Sequence, residues 1–158
     1  PPPPPPPPPP LFKDPAPTEL YTYTESSAAS DVYKRQGCQY CQAHTASSAA
    51  RGGVDAEKVA AVWHFEADDR FDAAERAALR LARDAAAVPN ATTTDHFDDL
   101  APHFDEDQIV ELVAVISLFG WLNRWNDTMA TDLEDEPLAF GAEHLAARGW
   151  DPGKHAHV

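Results

Sequence analysis

The sequence predicts an all-α protein. Apolar residues recur at three- and four-residue spacing over several stretches, helix-capping signals stand in front of those stretches, and no segment alternates apolar and polar residues as a half-buried strand would. The expected architecture is one helical domain over residues 37–158, organised around a single long apolar helix. A low-complexity, disordered or non-native segment over residues 1–36 precedes it.

Pro1 to Pro10 is a homopolymer whose polyproline II form would be a solvated rod of about 30 Å. It reads as a low-complexity tail rather than a ligand for a proline-binding domain. Leu11 to Gln36 shows no periodicity, and Ser26 to Gln36 resembles a translated sequencing-adapter junction, which would make everything before Gly37 foreign to the domain. The first helix then runs from the Gly37-Cys38-Gln39-Tyr40-Cys41 stretch to Arg51, where Gly52-Gly53 stops it. Asp55 is placed to cap a short helix through about Phe65, with Val59, Val62 and Trp63 on its apolar stripe. Asp72 followed by Glu75 matches a capping box and opens a helix from Ala73 to about Ala87, ended by Pro89-Asn90. Thr94 is expected to cap a short helix over Asp95 to Leu100.

Asp105 with Gln108 is a second capping box and starts the longest helix, about Glu106 to Ala130. Its first turns carry Ile109, Val110, Leu112, Val113, Val115 and Ile116, then Leu118, Phe119, Trp121 and Leu122. A helix apolar nearly all round is one that other helices surround, so this helix is expected at the centre of the core. Trp63, Trp121 and Trp125 read as core or subunit-interface aromatics. A last helix covers about Pro137 to Arg148 and closes at Gly149; His155 and His157 fall in a tail expected to be solvated.

Composition narrows the function. Twenty-six acidic against twelve basic residues give a formal charge of −14. A surface that negative repels phosphate backbones and anionic lipid, so neither nucleic acid nor a membrane is expected as partner. No apolar run approaches the roughly 18–20 residues of a membrane span, and no basic-then-apolar leader opens the chain. Two cysteines cannot form a secreted disulfide framework, and their spacing suits a reducing compartment, with the cytoplasm as default.

Both cysteines lie in Cys38-Gln39-Tyr40-Cys41, with His44 three residues on. Residues three apart share a helix face, so the sulfurs can meet in a disulfide. The free N–H groups and dipole at a helix start favour thiolate over thiol, the setting in which a C-x-x-C pair becomes nucleophilic. Three roles stay open: a redox dithiol, a zinc site using Cys38, Cys41 and His44 with a distant fourth ligand, and two cysteines with no role. At about 100° per residue His44 lies beyond Cys41, so it can serve Cys41 and not both. Asn123, Arg124 and Asp127 either line a pocket beside the cysteines or mark a helix leaving the core; Arg124 and Asp127 stand at ion-pair spacing.

Gly37 to Thr45, the helical region after it and the long helix ending Leu122-Asn123-Arg124 resemble the carboxymuconolactone decarboxylase family, in its alkylhydroperoxidase-D-like branch. The resemblance covers about Gly37 to His155. It implies an all-α fold assembled as a trimer or hexamer, and peroxidase activity without metal or organic cofactor. It also implies that Cys41 attacks the peroxide and Cys38 resolves the product, with a hydroperoxide as substrate and an unidentified thiol as reductant. The relay histidine of the best-studied branch falls where this chain has Thr45; many relatives have it one position earlier, at His44, which takes that role. The family's relay glutamate precedes the cysteines, and no residue here matches it. A lactone decarboxylase, whose chemistry needs no cysteine pair, and a non-catalytic helical subunit are the alternatives.

Overall fold

A computed structural model describes residues 37–156. The polyproline tract, the adapter-like stretch and His157 lie outside the described residues. Within them the protein is all-helical, with no strand. The elements are α1 (Gln39–Arg51), α2 (Ala56–Ala61) with a 3₁₀ turn Val62–His64, α3 (Ala73–Ala85), α4 (Thr94–Leu100), α5 (Glu106–Met129) and α6 (Asp135–Phe140). A π turn (Gly141–Leu145) and a 3₁₀ turn (Ala146–Arg148) prolong α6, and a last 3₁₀ turn covers Gly153–His155.

The helix starts follow local side-chain chemistry. Asp55 accepts the Lys58 amide at 2.9 Å. Asp72 and Glu75 close a reciprocal box, each side chain taking the other's amide at 2.9 Å. Asp105 and Gln108 do the same before α5. Before α4 the cap is Thr93 rather than Thr94, one residue earlier than expected, with its amide bonded to His96 Nδ1 at 3.2 Å. Gly149, at φ 87°, closes the helical run that begins with α6 in the left-handed conformation.

The central element is α1, not the long helix. Ala43, Ala46 and Ala49 pack with Val59, Ala60, Leu133, Leu145 and Trp150, and most of α1 is buried, Thr45 and Ser47 included. Small side chains let α2, α5 and α6 close around it, although its mean hydropathy is unremarkable. A second cluster joins Ala78, Leu81 and Ala82 of α3 to Leu100 and to Leu112 and Ile116 of α5. The expectation that α5 is surrounded is corrected here: only Leu112, Ile116 and Asn123 are buried along it. Val110, Leu118, Trp121, Trp125 and Met129 on its opposite face are more than half exposed. Trp121 and Trp125 stack on that face with ring centroids 5.7 Å apart.

Candidate functional site

The two cysteines are free thiols, both buried, at the start of α1. Gly37, at φ 77°, turns the chain into the helix. Cys38 is not inside the helix but caps it: its backbone is extended (φ −76°, ψ 104°) and its Sγ accepts the Cys41 amide at 3.3 Å. A sulfur in the N-cap position receives an otherwise orphaned N–H and the positive end of the helix dipole. The Cys41 thiol also hydrogen-bonds Cys38 and is the chief cause holding Cys38 below its ordinary value; burial and the Asp127 carboxylate oppose it, while the Cys41 amide and Lys154 assist. Cys41 is pushed up by the same bond, by burial and by the charge on Cys38. Of the two sulfurs, Cys38 is thus the one whose thiolate is favoured and Cys41 the one whose thiol is favoured.

Asn126 of α5 meets the pair from the other side. Its Nδ2 donates to Cys41 Sγ at 3.6 Å. Thr131 Oγ1 donates to Asn126 Oδ1 at 3.0 Å, which orients the amide with its N–H toward the sulfur. Tyr40 and Phe119 supply the apolar packing around the two thiols.

His44 faces elsewhere. Its Nδ1 lies 3.4 Å from Glu134 Oε2, and its ring stacks on Tyr40 at 5.3 Å. The Tyr40 hydroxyl donates to the same carboxylate at 3.3 Å, and burial together with Glu134 raises Tyr40 to about 12. The zinc alternative therefore does not assemble: His44 is drawn to Glu134, and among the described residues no three His, Cys, Asp or Glu side chains are gathered to hold a metal ion.

His155, assigned to a solvated tail from the sequence, is 1% exposed. Its Nδ1 lies 2.8 Å from the Thr131 carbonyl, a contact that requires the proton on Nδ1. Its Nε2 lies 3.7 Å from Asp127 Oδ1. Asp127 is paired with Lys154 at 3.0 Å, not with Arg124 as the spacing suggested. Only Pro152-Gly153, a turn signal that folds the tail back, hints at this in the sequence.

Comparison with known proteins finds partial matches. The model of the carboxymuconolactone decarboxylase family matches residues 32–84, which hold the dithiol helix, α2 and most of α3. The match spans about a third of this chain and agrees with the resemblance seen in the sequence. It is 27% identical over 96 residues to the uncharacterized protein YdfG of Bacillus subtilis (strain 168), covering 60% of this chain and 63% of that one. A crystal structure of the debrominase Bmp8, in a cysteine-to-alanine variant bound to 2,3,4-tribromopyrrole, superposes with a TM-score of 0.71 at 34% identity over 77% of this chain and 65% of Bmp8. The chain thus spans just under two thirds of YdfG and of Bmp8. A protein of unknown function from Agrobacterium tumefaciens, proposed as the antioxidant defence protein AhpD, shares the fold at a TM-score of 0.67 and 17% identity, over 77% of this chain and 82% of that one. Among the described residues, no helix is long and apolar enough to cross a membrane.

Asn123, Arg124 and Asp127 line a cavity whose wall includes neither Cys38 nor Cys41. It measures about 490 Å³ and lies between the segment that follows α3 (Ala86 to Val88) and the second half of α5. Asn123 is 1% exposed, and neither its Oδ1 nor its Nδ2 has a hydrogen-bond partner. A buried amide left unpaired costs about 1–3 kcal/mol, so its retention asks for a use.

Proposed function

We propose that the protein is a thiol-dependent peroxidase in which Cys41 attacks a hydroperoxide and Cys38 resolves the product. The observation that carries this is the Cys38 sulfur capping α1 while it accepts from both the amide and the thiol of Cys41. In the first step Cys41 passes its proton to Cys38 as its sulfur attacks the distal peroxide oxygen. The O–O bond breaks, Cys41 becomes a sulfenic acid, and the alkoxide leaves. The alkoxide takes the proton from Cys38 and departs as alcohol. The Cys38 thiolate, restored, attacks the Cys41 sulfur, forms the disulfide and expels hydroxide. An external dithiol returns two electrons and two protons by exchange. The Asn126 amide favours the negative charge that Cys41 acquires as it loses its proton. His44 is assigned a positioning role, tying the start of α1 to Glu134 beside α6. A dithiol that must be reduced in every cycle fits a reducing compartment such as the cytoplasm.

Likeness to Bmp8 at 34% identity favours a second use of the same thiols, reductive dehalogenation. There a thiolate would take bromine from a bromoarene, the carbanion would be protonated, and the second thiolate would displace bromide to close the disulfide. One assay separates the two. With dithiothreitol as reductant, cumene hydroperoxide consumption is expected in the wild type, to fall by at least about a hundredfold in Cys41→Ser, a nucleophile-sized loss. Bromide release from a bromopyrrole without peroxide turnover would instead select the second use. Peroxide turnover undiminished in Cys41→Ser would rule out the first.

A further inference from the structure

The cavity beside α5 carries a feature the peroxidase cycle does not use. Asn123 sits one turn after Phe119, which packs on both thiols, and three residues before Asn126, whose amide is bonded to Cys41. Its own amide is buried with oxygen and nitrogen both unpartnered, and it lines the cavity. An amide so placed serves a group that both donates and accepts a hydrogen bond, as a hydroperoxide or hydroxyl does.

Arg124, the next residue, lines the same cavity and is exposed. Acidic residues outnumber basic ones 26 to 12, yet among the described residues Arg124 holds no carboxylate in an ion pair. Its neighbour Asp127 is engaged by Lys154. Arg51, Lys58, Arg70, Arg80 and Arg83, by contrast, all hold carboxylates. A guanidinium left open beside a concave wall of Ala86 and Val88 is suited to bidentate capture of a carboxylate on an apolar body.

We propose that this cavity, one layer of side chains (Phe119 and Asn126) from the dithiol, is a subsite that selects carboxylate-bearing organic hydroperoxides, with Asn123 turning to hold the polar head and Arg124 the acid group. The selectivity for hydroperoxides rests on the peroxidase function proposed above; the capture of a carboxylate does not. Octanoate, which cannot react, is the probe, titrated calorimetrically into the reduced full chain with octanol as control. Octanoate is expected to bind more tightly than octanol, and Arg124→Gln to weaken octanoate about tenfold, the scale of one charge-assisted pair. Val88 is 82% exposed, so Val88→Trp can fill the cavity mouth without unfolding the protein, and it is expected to abolish octanoate binding. In steady-state assays, the ratio of kcat/KM for a carboxylated hydroperoxide over cumene hydroperoxide is expected to fall about tenfold in Arg124→Gln, the same pair lost from the substrate complex. Octanoate that fails to bind, or binds equally well to Arg124→Gln and Val88→Trp, overturns the subsite even if peroxides are consumed. Octanoate binding as described without any peroxide turnover leaves a carboxylate site and rejects the peroxidase.

Discussion

At the start of α1 the two thiols differ in their surroundings, and that difference favours the thiolate at Cys38 over Cys41. Cys38 receives a thiol, an amide and the helix dipole; Cys41 is left as donor, in a site where ionising it would put a second negative charge beside the first. The folded value of Cys38 is depressed. Its thiolate therefore persists as pH drops below the ordinary thiol value of about 8.5 and is lost only as pH falls through the folded value. Its contribution to stability follows the same course: complete above the unfolded value, gone below the folded one. A thiolate absorbance titration of the reduced protein is expected to show one step below about 8.5, absent in Cys38→Ser. In Cys41→Ala the strongest donor is gone, and the Cys38 step should move upward. A step at or above the free-cysteine value in the wild type would remove the basis for the charge assignment. The C-x-x-C spacing makes the pair legible in the sequence, but not the division of labour within it. That depends on Cys38 lying one residue outside the helix and on Asn126, which is 85 residues away in the chain. His155 was illegible for a similar reason: its burial is made by Thr131 and Asp127, not by its own neighbours.

Among the elements, α1 is anchored at the end where the chemistry is. Trp150 Nε1 donates to the Gln39 carbonyl at 3.0 Å, next to Cys38, and its ring sits against Gly141 of the π turn. A Cβ at Gly141 would stand 2.6 Å from Trp150 Cη2, the far edge of a rigid, buried ring that cannot yield without leaving its seat. Gly141→Ala is thus expected to destabilise by about 1–3 kcal/mol despite its better helix propensity. Urea denaturation would read this as a lower midpoint at unchanged slope. A midpoint equal to or above the wild type would show that Trp150 does not hold this end of α1. The boxes at Asp72–Glu75 and Asp105–Gln108 were legible because each is a four-residue event between near neighbours. The burial of α1 was not, since Ala, Ser and Thr register as weakly apolar and yet suit a helix surrounded at close range.

At the scale of the whole molecule, the apolar face of α5 has no cover within the described chain. Val110, Leu118, Trp121, Trp125 and Met129 run along one side of a 24-residue helix about 36 Å long, opposite the side that meets α3 and the dithiol. The apolar residues on every face of α5 were legible in the sequence, but a single sequence cannot say whether a face is covered by its own chain, by another copy or by nothing. An apolar strip of this length is uncommon on a monomer, and a second copy of this chain is the cover that the family resemblance leads one to expect. Light scattering should then give the wild type a mass that is a multiple of 17.2 kDa. Trp121→Glu, which puts a charge into the middle of the strip, should return it to the monomer with its helical circular dichroism intact. Each copy carries a formal charge of −14, so bringing copies together is opposed by repulsion that salt screens within a Debye length of about 10 Å at 0.1 M. The assembly should therefore tighten as sodium chloride is raised, opposite to an interface held by ion pairs. A wild type that stays at 17.2 kDa from low to high salt, indistinguishable from Trp121→Glu, would mean that the exposed strip of α5 is not where copies of this chain meet.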